Sequence, residues 1–229
     1  MQLVGGSSKQ IKSLTLRRCT FPFDSSVPYR IPNLILEEPA NLVGTAVDSM
    51  AYAATAIILP EHIVSLDLAG PTILPQLLPQ LISLEKDFSG LRSLRVVLPA
   101  ERSETWRASW ARFLERCPAL LALDIVGPAN HDDAGLSLLT PNAVQPLEAF
   151  SGSVAAAVAL LPGRRIRNLV IRLESEDTSE SVISSVLDEL AQLDEPTRDR
   201  IREFRLETDR VRQLFPRIAT FKSTILRTT

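Results

Sequence analysis

The sequence predicts an α/β solenoid, with parallel strands on one face and helices or irregular crossovers on the other. Three observations carry that expectation. A six-residue frame, apolar–x–x–apolar–x–apolar, recurs along the 229 residues, as in Ile63-Val64-Ser65-Leu66-Asp67-Leu68. The first apolar positions of successive frames lie 20, 32, 28, 29, 27, 19, 35 and 17 residues apart, about the length of one strand and one crossover. Helix-terminating residues stand shortly before the frames: Pro28, Pro60, Gly90, Pro118, Pro146, Pro162, Pro196 and Pro216.

Taken in order, the frames are Ile11/Leu14/Leu16, Ile31/Leu34/Leu36, Ile63/Leu66/Leu68, Leu91/Leu94/Val96, Leu120/Leu123/Ile125, Ile166/Leu169/Ile171 and Ile201/Phe204/Leu206. Leu147/Phe150 and Ile218/Phe221 are copies whose third apolar position has decayed to Gly152 and Ser223. Side chains alternate along a strand, so the last two apolar residues of each frame point to one face and the residues between and just after them to the other.

Between the frames the apolar spacing changes to a helical period. From Glu101 to Arg116, Trp106, Trp110, Phe113 and Cys117 form one stripe, which predicts an amphipathic helix with its aromatic side on the core. Asp177 and Glu180 make a capping box ahead of a helix running to Leu193. Asn41–Thr55 and Ser153–Leu161 are Ala-rich helix candidates, and Ile73–Leu84 is Leu-rich, with Pro75 and Pro79 predicting a short or broken helix. The longest polar loop, Gly127–Pro141, has repeat units on both sides, so residues 1–229 read as a single domain.

Composition narrows the function classes. Hydrophobic residues make up 45% of the chain, enough for a substantial core, and 25 basic against 27 acidic residues leave a net charge of -2. The Arg-rich stretch from Arg164 to Thr229 holds 13 basic and 12 acidic residues, a mixed solvated surface and no phosphate-binding stripe, so no nucleic acid is expected. Leu42–Leu59 has the length of a membrane span, but Asp48 near its middle costs about 2.5 to 3.5 kcal/mol on insertion, and a helix in water is expected instead. Met1–Ser8 has neither a basic nor an apolar segment, so no secretory signal is expected. Cys19 and Cys117 stand far apart with no CxxC, the pattern of reduced, buried thiols in an intracellular protein, cytoplasmic or nuclear.

The phrases LPEHIVSLDLAG, GLRSLRVVLPAE, CPALLALDIVGP and LEAFSGSVAAAVALLPGRRIRNLVIRL resemble the irregular leucine-rich repeats of fungal F-box-type proteins, over nearly the whole chain. The resemblance implies a leucine-rich-repeat-like solenoid and a protein-recognition role, as the substrate-binding part of a ubiquitin-ligase receptor. Two departures stand out. Such repeats carry Asn or Cys eight residues after the first leucine, and only Cys19 matches; and no F-box is expected ahead of the repeats, since only ten residues come before Ile11, while Leu59-Pro60-Glu61, which resembles the start of one, runs straight into a repeat strand.

Residues that carry chemistry are few. His62 and His131 are the only histidines, and neither has a second ligand at a metal-binding spacing. His131-Asp132-Asp133 reads as a solvated loop, Cys117 as core, and no GxSxG, P-loop or GxGxxG occurs. No catalytic residue, metal or cofactor is expected. The leading expectation is a non-enzymatic module that binds a protein partner through the outward strand face; a structural repeat fragment without a specific partner comes second, and an enzyme or GTPase regulator third. Asp67, Arg95, Asp124, Arg172, Glu203 and Arg205 are the candidate partner-binding residues, because they project from that face with alternating sign. The face is short of aromatic anchors, so several polar contacts are expected to hold the partner.

Overall fold

The computed structural model describes residues 11–17, 30–37, 58–127, 133–172, 188, 190–193 and 195–207. Eight of the nine frames form strands: β1 (Ser13–Arg17), β2 (Asn33–Glu37), β3 (Ser65–Ala69), β4 (Ser93–Val97), β5 (Ala122–Val126), β6 (Ala149–Gly152), β7 (Asn168–Arg172) and β8 (Glu203–Glu207). They make one sheet in sequence order, every neighbouring pair parallel. The ninth frame, Ile218/Phe221, lies outside the described residues, as do the Asn41–Thr55 segment, Cys19, Asp177 and Glu180.

Parallel neighbours need a crossover, and the crossovers here carry α1 (Ile73–Ser83), α2 (Glu104–Glu115), a 3₁₀ turn at Leu136–Leu138, α3 (Val154–Leu160) and α4 (Glu195–Arg200). Of the helix expected up to Leu193, Leu190 and Leu193 are described and buried. Of the short or broken helix expected here, α1 is a short, unbroken one of 11 residues. Pro75 lies in the first turn, where N–H groups have no intrahelical acceptor, so only Pro79 removes a helical hydrogen bond. Burial of Ile73, Leu74, Leu77, Leu78 and Leu81 offsets that loss. Ser103 caps α2 by accepting from the Trp106 amide at 3.2 Å, and Ser153 caps α3 in the same way through Ala156. The aromatic stripe is core as expected: Trp110 and Phe113 are fully buried and stack at 5.8 Å, and Phe88 meets Phe113 edge-on at 5.2 Å.

The apolar frame positions stack across the sheet into ladders. Leu34, Leu66, Leu94, Leu123, Phe150 and Leu169 form one, and Leu36, Leu68, Val96, Ile125 and Ile171 its neighbour. Gly152 interrupts the second, and its loss of side chain is compensated. A Cβ placed there would come within 2.7 Å of Phe150 Cζ, so the Phe150 ring occupies the volume that an aliphatic residue fills in the other strands.

Where each strand starts, one carbonyl accepts from two successive amides of the next. Pro32 O takes Val64 and Ser65, Val64 O takes Arg92 and Ser93, and Arg92 O takes Leu121 and Ala122. Leu121 O, Glu148 O and Arg167 O continue the series toward β8. Pro32 has no N–H to donate in its turn, and the Asn33 side-chain amide donates to Lys12 O at 2.7 Å.

The asparagine ladder is missing, and on the crossover side arginines tie successive connections together. Arg116, after α2, donates to Ile82 O at 2.8 Å at the end of α1 and also to Lys86 O. Arg164, 4% exposed, donates to Leu160, Pro162, Ala143 and Thr140 carbonyls, the last two in the preceding connection. Arg200 then donates to Arg164 O at 3.2 Å. Burial lowers the Arg164 guanidinium from its ordinary range, and the carbonyl cage supplies the compensating acceptors.

Candidate interaction surface

The described crossovers pack on the leucine face, and the residues on the other face of the sheet meet solvent. They are exposed or half-buried in every strand. Strand registers align them without stagger, so Ile35, Asp67, Arg95, Asp124 and Ser151 lie on one straight row, as do Val170 and Arg205 further along it. Neighbours on such a row are about 4.8 Å apart, within side-chain reach.

The structure brings four of the six candidate residues together. Arg95 donates Nη1 to Asp67 Oδ2 at 3.1 Å on one side and approaches Asp124 Oδ2 through Nε at 3.3 Å on the other. Asp124 also accepts from Arg172, which stands two strands away on β7. Arg172 crosses β6 because the residue beneath is Ser151; a long side chain there would block the span. Its Nε reaches Glu207 on β8 at 3.1 Å. The result is a ladder, Asp67–Arg95–Asp124–Arg172–Glu207, with alternating sign. For Arg172, burial alone lowers the affinity for its proton, but the hydrogen bonds and charges of Asp124 and Glu207 outweigh it and raise the pKa.

Glu203 and Arg205 pair with each other at 2.8 Å within β8. At the opposite edge Arg17 Nε meets Glu37 Oε2 at 2.7 Å. Glu207 and Glu37 were not among the candidates, although the frame puts both on this face; the missing signal was register, which pairs Glu207 with Arg172 and Glu37 with Arg17. Asp67 Oδ1 and Ser151 Oγ are left without hydrogen-bond partners.

The side chains considered for chemistry lie elsewhere. Cys117 is fully buried, its thiol donates to Phe113 O at 3.3 Å, and burial pushes its pKa far above the ordinary thiol range. His131 and Asp132 lie outside the described residues. Asp133 holds the turn that follows, accepting from the Gly135 amide at 2.8 Å and the Ser137 amide at 3.2 Å. Among the described residues, no group of three or more His, Cys, Asp or Glu side chains is placed to hold a metal ion, and no helix is long and apolar enough to cross a membrane. Comparison with protein-family models, with curated proteins and with solved structures finds no match.

Proposed function

We propose that this chain is a leucine-rich-repeat-type solenoid that recognises a protein partner through its open sheet face and performs no chemistry of its own. The observation that carries the reading is the charge ladder on that face. Asp67, Arg95, Asp124 and Arg172 are held by one another before any partner arrives, so little side-chain freedom remains to be lost on binding. A ladder of fixed alternating charges selects partners by sign and spacing, which favours specificity over raw affinity. The one described cysteine is sealed in the core, and the arginines of the face are matched by acids, so neither is set up as an activated nucleophile or an anion trap. The resemblance to fungal F-box-type repeat proteins makes capture of a substrate for ubiquitin ligation, in the cytoplasm or nucleus, the specific form of this reading.

Affinity capture from lysate tests it, using the wild type, the double variant Arg95→Glu plus Arg172→Glu, and Arg112→Glu on the exposed side of α2 as a control. A protein retained by the wild type and the control but lost by the double variant, with all three melting alike, is the expected outcome. The same captured set on all three proteins would refute a recognition role for the face.

A further inference from the structure

We infer that the open sheet face binds a second copy of itself, about a two-fold axis that lies in the interface, parallel to the strands and between β4 and β5. The inference rests on the reading of this face as a recognition surface and names its partner. Such an axis sets the first strand over the eighth, the second over the seventh, the third over the sixth and the fourth over the fifth, all running the same way. Because the strands pair without stagger, each row of outward residues falls on the same row of the other copy.

Every outward position then meets a compatible one. At the strand ends, Arg17 and Glu37 come over Glu207 and Arg172 of the second copy. Each of these charges already has an opposite charge beside it, at 2.7 Å and 3.1 Å, and now gains one across the interface, a ring of four alternating charges at each end. At the middle of that row Val97 meets Val126. In the central row Arg95 comes over Asp124, Ile35 over Val170 and Asp67 over Ser151. The remaining row opposes Ser93 to Ala122, Ser65 to Ala149, Asn33 to Asn168 and Ser13 to Glu203, and in the central row Thr15 meets Arg205. No like charges are opposed in any row.

Two neighbouring arrangements of the same faces lose this match. An axis across the strands lays every strand over its own copy, with Asp67 on Asp67, Arg95 on Arg95 and Asp124 on Asp124. Moving the chosen axis by half a strand spacing onto β4 puts Arg95 over Arg95 and Asp67 over Asp124. Like charges directly opposed exclude both. Eight strands about 4.8 Å apart and five residues of about 3.3 Å give a face of about 600 Å² per copy, at the small end of specific interfaces, and with no aromatic anchors on it a reversible dimer with a Kd in roughly the micromolar range is expected.

Sedimentation equilibrium on Ile35→Lys and Val170→Glu, each alone and mixed in equal amounts, tests the geometry. Within its own chain the new ammonium lies beside Asp67 and the new carboxylate beside Arg205, so each variant keeps its fold. The wild type should dimerise reversibly. Each variant alone should bind itself at least about tenfold more weakly, because its new charge is desolvated against an apolar residue of the other copy, and the mixture should recover to within about threefold of wild type as ammonium meets carboxylate. A wild type that stays monomeric at about 100 μM, roughly a hundredfold above a micromolar Kd, overturns the inference, as does a dimer whose two variants show no recovery on mixing. A monomeric wild type that still captures a protein through Arg95 and Arg172 removes self-recognition and leaves the recognition reading standing. A monomer that captures nothing removes both.

Discussion

Leu123 and Asp124 are neighbours in β5, and their side chains leave the sheet on opposite sides. Leu123 is sealed between Leu94 and Phe150 of the adjoining strands, and what limits it is volume. Asp124 stands 28% exposed between two arginines, and what limits it is the sign of its neighbours. Two residues of the same strand therefore tolerate opposite kinds of change. The difference teaches that the leucine face determines whether the chain folds, and on the proposed function the charged face determines what the folded chain meets.

The most damaging way to probe this contrast is Leu123→Asp. A carboxylate buried there without a partner costs several kcal/mol out of a total stability of about 5 to 15, so loss of soluble folded protein is expected, seen by circular dichroism. A smaller effect on the same face comes from Gly152→Val, whose new side chain collides with the Phe150 ring and should cost about 1 to 3 kcal/mol by chemical denaturation. Adding Phe150→Leu should return part of that loss, and a double variant less stable than either single one would count against shared volume. The smallest effect is expected from Asp124→Leu, the charged-face counterpart of the first change. Arg95 keeps Asp67 and Arg172 keeps Glu207, both pairs partly in water, so the midpoint should shift by no more than about 1 kcal/mol. If Asp124→Leu proves as harmful as Leu123→Asp, the contrast between the faces fails.

Much of this was legible in the sequence because strand alternation is a local property. Leu66 and Leu68 flank Asp67, and that spacing alone places the three residues on their faces. What depends on neighbours in space was not legible. The frame at Leu147/Phe150 reads as decayed, yet β6 pairs normally, since the volume missing at Gly152 is returned by a ring two residues earlier. Arg164 sits in a run with Arg165 and Arg167 that reads as surface, and only the carbonyls of two separate connections show that it belongs inside. The signs along the ladder could be read from the frames, but the span from Arg172 to Asp124 depends on the small residue in β6 between them. In α1 the two prolines left a short helix and a broken one both open, and five buried aliphatic side chains hold it unbroken.

The shared carbonyls at the strand starts have a kinetic meaning. Each acceptor belongs to one strand's approach and each pair of donors to the next, so the alignment of each strand is tied to that of its neighbour. Order then spreads from neighbour to neighbour, as in a one-dimensional chain, with little cost in long loop closure at any step. The weakest coupling is where the relay meets Pro32, which has no amide to lend and leaves the Asn33 side chain to reach Lys12. On warming, β1 should part from β2 before any interior strand loosens, and amide exchange at Thr15 should outrun exchange at Asp67 or Arg95.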